Sequence, residues 1–292
     1  MPSTRDIRRR IKSVKGTAQI TKAMQMVASS KMAKAQQAAL NARPFAAMAG
    51  NVMGHLSADA SDYRHPLMEQ RAVRRRGLIV VGTDKGLCGA LNSNLFRELT
   101  KHDKATDDFV AVGRKAAQFI ARTRRRLVGE FTYHDTPTFG ECQAISKFVQ
   151  EMFLTGEVDA VDILYTRFVS TLSQRPEVCP LLPMGSVESL RAEARGQVPP
   201  APAAPAHYDF LFEPDAATVL DQLVVYLLDF RVAQVLLEAK ASEHSARMVA
   251  MKNATDNANQ LVRDLTLEYN KIRQASITKE LLEISTAQMA MG

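Results

Sequence analysis

The chain has 292 residues, of which 46% are hydrophobic, enough for one large domain or two modest ones with a substantial core. Only 6% of the residues are aromatic and tryptophan is absent, which favours long helices over an all-β sandwich. No stretch approaches eighteen consecutive apolar residues, so no membrane span is expected. The polar amino terminus is unlike a secretory signal, and the three scattered cysteines suggest neither a disulfide scaffold nor a zinc knuckle.

The net charge of +7 is concentrated at the amino terminus. The first 43 residues carry ten basic side chains and one acidic side chain, which gives this segment a charge of +9 and leaves the rest of the chain at −2. We expect such a segment to meet an acidic partner, which is a phosphate, an anionic membrane or a carboxylate-rich protein surface. The alternative is an ordinary solvated helix face.

Residues 1–57 are predicted to form an amino-terminal coiled-coil helix. Asp6 with Ser3 or Thr4 offers an N-cap, and Pro44 predicts a kink before the helix ends near Ser57. Apolar and small residues recur at alternating steps of four and three, the spacing of a heptad seam. That seam consists of Ile7, Ile11, Val14, Ala18 and Thr21.

Residues 77–212 are predicted to form a central Rossmann-like α/β domain. Short apolar runs at 77–82 and 109–113 predict strands, and residues 160–170 predict another strand. Residues 90–102, 114–124 and 139–155 predict helices between or beside them. This alternation is typical of a mostly parallel sheet. The Pro- and Ala-rich stretch 191–206 predicts a surface loop or extended spacer.

Residues 215–291 contain neither glycine nor proline and are predicted to form one long carboxyl-terminal coiled-coil helix, which would be roughly 110 Å long. Pro214 and Asp215 mark its start. We expect it to pair antiparallel with the amino-terminal helix. The predicted seam consists of Ala254, Ala258, Leu261, Leu265, Glu268, Ile272, Ala275, Lys279 and Leu282.

The carboxyl-terminal helix is longer than its predicted partner, which leaves roughly 20 residues at its end uncovered. Apolar side chains are spread around this end and are not confined to one stripe, so an isolated chain would expose them. We therefore expect another protein to enclose the tip. The residues concerned are Leu281, Leu282, Ile284, Ala287, Met289, Ala290 and Met291.

The sequence contains no recognisable catalytic, cofactor-binding or metal-binding motif. GTDKGLCG at 82–89 follows a predicted strand, but its spacing matches neither GxGxxG nor a P-loop. The six histidines lack ligand spacing. Two alternatives remain at this point. One is a phosphate- or nucleotide-binding α/β protein that uses Gly82–Gly89, and the other is a basic coiled-coil protein that binds nucleic acid.

Three blocks of sequence resemble the γ subunit family of F-type ATP synthases, in the same order: residues 7–36, 82–92 and 242–284. The resemblance implies a central stalk of the bacterial type, an antiparallel two-helix coiled coil with an α/β domain. It implies a non-catalytic rotary shaft without a cofactor, coupling ion flow through the c-ring to ATP synthesis or hydrolysis. The implied partners are the α and β subunits of the catalytic ring, the ε subunit and the membrane c-ring, without nucleic acid.

The resemblance also implies a peripheral location, without membrane insertion, on the cytoplasmic face of the bacterial inner membrane. It assigns contacts with the α/β ring to particular positions. Met24 and Arg247 correspond to positions that meet a β-subunit loop, although Met24 equally fits packing within the coiled coil. Hydrogen-bonding contacts with the ring correspond to Arg273, Gln274, Thr278 and Glu280. The regulatory cysteine insert of chloroplast relatives is absent, so thiol control is not expected.

Overall fold

The structure, a computed structural model, describes residues 4–59, 65–104, 106–185 and 215–291, without the side chains of 42–59, 216–217 and 290–291. The predicted loop at 191–206 lies outside the described residues. Two long helices, α1 (Thr4–Asp59) and α5 (Ala216–Met291), contain 56 and 76 residues. Asp215 caps α5 as its sequence suggests, because its carboxylate accepts hydrogen bonds at 2.9 Å from the backbone N–H and the hydroxyl of Thr218. Helix α1 continues through Pro44 and ends two residues beyond the predicted limit.

Between the long helices lies a five-stranded sheet with the order β3-β2-β1-β4-β5. The first four strands are parallel, and β5 pairs antiparallel with β4. The predicted fold class, long terminal helices with a central α/β domain, is therefore confirmed. The elements are a short 3-10 helix (Pro66–Met68), β1 (Arg76–Val81), α2 (Leu91–Leu99), β2 (Asp107–Val112), α3 (Arg114–Arg122), β3 (Leu127–Phe131), α4 (Phe139–Leu154), β4 (Ala160–Ser170) and β5 (Ser173–Leu182).

The two outer strands, β3 and β5, are absent from the sequence-based prediction. Their side chains are mostly half-buried, so neither strand has the continuous apolar run that marks β1 and β2. Strand β5 also contains Pro176 and Pro180, residues that normally argue against a strand. Both prolines are tolerated because β5 lies at the edge of the sheet, where one side of the strand needs no backbone partner.

The helices pack on the two faces of the sheet through two clusters of buried hydrophobic residues. Helices α2 and α3 pack on one face through residues that include Leu95 and Ile120. On the other face, α4 and part of α5 form the larger cluster, in which Val224, Leu228 and Val232 recur every four residues along α5. This periodicity places one stripe of α5 against the sheet.

The chain forms two compact units, Met1–Ser29 with Arg247–Gly292, and Ser30–Ala246. The first unit is an antiparallel helix pair. The hydroxyls of Thr21 and Thr255 lie 2.7 Å apart, and Arg8 donates a hydrogen bond of 2.7 Å to the Tyr269 hydroxyl. As α1 advances from residue 8 to residue 21, its partner in α5 moves back from 269 to 255, which defines the antiparallel direction.

The seam of α1 is buried or half-buried at all five predicted positions. In α5 the predicted seam is only partly correct, because Leu261 is 44% exposed and Glu268 is also exposed. The residues one position further along, Val262 and Tyr269, are half-buried and take their places. The last three predicted members of the seam, Ala275, Lys279 and Leu282, are exposed as well. The observed seam is Met251, Thr255, Ala258, Val262, Leu265, Tyr269 and Ile272, which keeps the steps of four and three.

Candidate interaction surfaces

The last part of α5 is exposed on every side. All residues from 273 to 289 are exposed, including apolar side chains such as Leu281 at 62% and Met289 at 82%. An uncovered apolar surface of this kind is typical of a site that another protein covers. The side chains of Ala290 and Met291 lie outside the described part of the chain.

Four of the six residues implied as ring contacts lie on this exposed end: Arg273, Gln274, Thr278 and Glu280. Within the helix, the Ser276 hydroxyl lies 3.3 Å from a Glu280 carboxylate oxygen. Residues 273 and 280 share one stripe of α5 and residues 274 and 278 share another, so the four side chains face two directions around the helix. They are therefore available to contact a surrounding partner, and their contact roles stay predictions.

Met24 and Arg247, the other two predicted contacts, belong to the first unit and are half-buried there. Half-burial of Met24 is compatible with both interpretations left open by the sequence, packing in the helix pair and contact with a partner.

The basic charge at the amino terminus lies largely on the exposed surface of α1. Four exposed cations, Arg10, Lys12, Lys15 and Lys22, form no ion pair with a described residue. Arg9 lies 3.8 Å from Asp6, but both side chains are more than half exposed, so the pair contributes little to stability. This face therefore offers positive charge to an acidic partner.

The glycine-containing loop at 82–89 forms hydrogen bonds with the two helices α2 and α3. Asn92 accepts a hydrogen bond from the Thr83 N–H at 3.4 Å and donates one to the Thr83 hydroxyl at 2.7 Å. At the amino terminus of α3, the carboxylate of Asp84 accepts the N–H of Arg114 at 3.0 Å. An acidic side chain thus occupies the amino terminus of α3, which does not favour phosphate binding at that helix; the helix that directly follows the loop is α2.

A group of charged side chains that the sequence did not single out lies within the second unit. We call it the Asp135 cluster. Its basic members are contributed by the two long helices, and Asp135 itself lies in the loop between β3 and α4. The members are Lys31, Tyr133, Asp135, Lys240, Glu243 and His244.

The environment of the Asp135 cluster shifts two of its pKa values. Partial burial alone would raise the pKa of Asp135, but the hydrogen bond and charge of Lys31, with the charges of His244 and Lys240, outweigh burial and lower it. Burial, reinforced by the charge of Glu243, raises the pKa of the Tyr133 hydroxyl well above its ordinary value. Asp135 is therefore ionised at neutral pH and Tyr133 is not.

Asp135 is expected to make the free energy of unfolding depend on pH. Because its pKa is lower in the folded chain than its ordinary 3.8, its stabilising contribution is complete well above pH 3.8. The contribution decreases as the pH falls below 3.8 and is lost below the folded-state pKa. We expect Asp135→Asn to have a smaller difference in unfolding free energy between pH 7 and pH 3 than the wild type, measured by urea denaturation. An equal difference in both proteins would contradict this assignment.

Within the described part of the chain, no helix combines the length and apolarity needed to cross a membrane. The same residues contain no group of three or more His, Cys, Asp or Glu side chains arranged to hold a metal ion.

Comparisons with known proteins agree over almost the whole chain. A family model described as ATP synthase matches residues 3–291. The ATP synthase gamma chain of Opitutus terrae is 50% identical over 294 residues, covering 99% of each chain. That of Methylacidiphilum infernorum is 46% identical over 297 residues, covering all of both chains.

Solved structures show the same fold. The central stalk and c-ring structure of Tetrahymena thermophila mitochondrial ATP synthase contains a chain that matches with a TM-score of 0.60 and 25% identity, over 80% of this chain and 99% of that one. A chain of the Euglena gracilis mitochondrial ATP synthase in rotational state 3 matches with a TM-score of 0.66 and 20% identity, over 99% and 94% of the two chains. Given the family match and the identity to named relatives, the chain belongs to the ATP synthase gamma chain family.

Proposed function

We propose that this chain is the central rotary shaft of a proton-transporting F-type ATP synthase, which couples ion flow through the c-ring to ATP synthesis or hydrolysis. It is a non-catalytic subunit, and the chemistry takes place on its partners. The observation that carries the proposal is the antiparallel helix pair whose longer helix continues as an exposed, partly apolar end from residue 273 onward. Such an end is suited to the interior of a surrounding ring of subunits.

We further infer which subunits this chain contacts and where it is located. The exposed end of α5 contacts the α and β subunits, and the basic face of α1 meets acidic loops of the same ring. The second unit contacts the ε subunit and the c-ring, which places the chain peripherally at the cytoplasmic face of a bacterial inner membrane. The family, the bacterial sources of the named relatives and the similarity to a chain in a structure of a central stalk and c-ring support this arrangement.

Rotation within an assembled complex tests the function directly. The chain would be co-expressed with α and β subunits, after its three cysteines are replaced by serine and Leu172, which is 83% exposed, is replaced by cysteine to carry a probe. With the ring immobilised, we expect ATP to drive stepwise rotation of the probe. Assemblies without this chain should show no rotation and little coupled ATPase activity. A stationary probe in an active complex, or ATPase activity that does not depend on the chain, would contradict the proposal.

The contact residues can be tested with a matched pair of arginine variants. Arg273→Ala removes a predicted contact on the exposed end, and Arg263→Ala removes an exposed arginine from the paired part of α5. Because a charge-assisted hydrogen bond is worth about 1.5–3 kcal/mol, Arg273→Ala should change the ATPase rate of the complex by about tenfold or more. We expect Arg263→Ala to leave the rate near that of the wild type. Equal ATPase rates in the two variants would show that Arg273 is not a contact with the α/β ring.

A further inference from the structure

One carboxylate, that of Asp135, lies against both long helices in the second unit. Its Oδ2 atom is 2.5 Å from Lys31 Nζ on α1. Its Oδ1 atom faces α5, at 3.6 Å from His244 Nε2 and 4.0 Å from Lys240 Nζ. The loop between β3 and α4 therefore carries a single acidic group that interacts with the two helices through its two oxygens.

The α5 side of this arrangement is buried and well supported. Lys240 is 2% exposed, and its ammonium group lies 3.2 Å from Glu243 Oε2 and 4.2 Å from the centre of the Tyr133 ring. His244 is also 2% exposed. A buried ammonium needs such partners because its charge is poorly tolerated without them. The partners of Lys240 come from α5 itself and from the segment that follows β3, so they link the helix to the sheet.

The hydrogen bond from Lys31 to Asp135 is directional and resists rotation of α1 more steeply than apolar packing does, whereas His244 and Lys240 contact Asp135 at ion-pair distances. Apolar contacts are non-directional and depend mainly on the area that is buried. A charge-assisted hydrogen bond requires a narrow range of distance and angle. A helix with its side chains is about 10–12 Å across, so a turn of roughly 20° about its axis moves a side-chain tip by about 2 Å. That displacement would break the contact between Lys31 and Asp135.

We propose that Asp135 is a positioning residue that fixes the rotational setting of α1 and α5 on the α/β domain, so that turning force passes between the helices and the sheet through this carboxylate. The inference rests on the proposed function of the chain as a rotary shaft. In this arrangement Lys31 anchors α1, and Lys240 with His244 anchors α5, on one loop of the domain that the c-ring turns.

The coupling between ion transport and ATP hydrolysis distinguishes this role from a purely structural one. A variant that only folds less well would reduce the number of assembled complexes, but each remaining complex would pump the same number of protons per ATP. A loosened anchor would let the helices turn without a proportionate rotation of the domain. The informative quantity is therefore the ratio of ATP-driven proton pumping to ATP hydrolysis in membrane vesicles that contain the complete complex.

Two pairs of variants make the test specific. Lys31→Met removes the α1 anchor, and Lys34→Met removes an exposed lysine one turn away whose side chain has no ion pair with a described residue. Asp135→Asn removes the shared charge, and Glu130→Gln removes an exposed carboxylate from β3. We expect the pumping-to-hydrolysis ratio to fall about twofold in Lys31→Met and more in Asp135→Asn, while both controls keep the wild-type ratio. Lys31→Arg should restore the ratio because it retains the charge.

Wild-type ratios in both Lys31→Met and Asp135→Asn, at equal amounts of assembled complex, would overturn the inference, and so would equal losses in the controls. If Asp135→Asn fails to assemble, Lys31→Met decides the question, because Lys31 is 42% exposed and its loss leaves no buried charge unpaired. Failure of the proposed function itself would be visible separately, as hydrolysis by the complex that does not require this chain at all.

Discussion

Replacing Leu265 with aspartate should unfold the antiparallel helix pair of the first unit. Leu265 is 5% exposed and lies in the middle of the observed α5 seam. Truncation of a buried leucine typically costs about 2–5 kcal/mol, and burial of an unpaired carboxylate adds to that cost. A two-helix unit has few other buried side chains to compensate. We expect rapid hydrogen exchange of the amides in residues 4–29 and 247–272, with normal protection in the central sheet.

Leu261→Asp provides the matched control for this experiment. The sequence alone places Leu261 in the seam, whereas the structure leaves it 44% exposed. Aspartate at an exposed position should change the unfolding free energy by only about 0.5 kcal/mol. If Leu261→Asp reduced the protection of the amides from hydrogen exchange as strongly as Leu265→Asp, the assignment of residues to the α5 seam would be wrong.

Replacing Gly113 with alanine should strongly destabilise the second unit. Gly113 joins β2 to α3 with φ +96°, a conformation that favours glycine, and an added Cβ would lie 2.4 Å from the carbonyl oxygen of Gly82. The Gly113 N–H also donates to Phe131 at 2.8 Å, so the backbone cannot move freely away. Backbone strain and overpacking together should cost about 3 kcal/mol or more. Thermal unfolding and hydrogen exchange of β1 and β2 would measure the loss.

Gly16→Ala is the control for Gly113→Ala. Gly16 lies within α1, and an added Cβ would meet nothing within 4 Å. Alanine is the better helix former, so this substitution should stabilise the chain by about 0.5–1 kcal/mol. A normal melting temperature for Gly113→Ala, or destabilisation of similar size by both substitutions, would contradict the packing described between Gly82 and Gly113.

Most of the candidate contact surface could be predicted from the sequence. The length difference between the helices, together with the apolar residues near the carboxyl terminus, predicted an uncovered end, and the structure exposes residues 273–289. The individual contact residues, including Met24, Arg273 and Gln274, came from family resemblance and stay predictions. The Asp135 cluster was missed, although Lys240, Glu243 and His244 stand close together along the helix. Their partner Asp135 is more than 100 residues away, and no spacing rule connects them.

Local sequence patterns were enough to predict those helices and strands that form mainly because of their own residues. Absence of glycine and proline predicted α5, heptad spacing predicted the α1 seam, and continuous apolar runs predicted β1 and β2, because each pattern reflects the geometry of a single helix or strand. Tertiary structure decided which residues meet across elements. It added the half-polar edge strands β3 and β5, replaced Leu261 by Val262 in the α5 seam, and brought Asp135 to Lys31 and His244. These features depend on long-range pairing, whose free energy comes from partners that are distant in the chain.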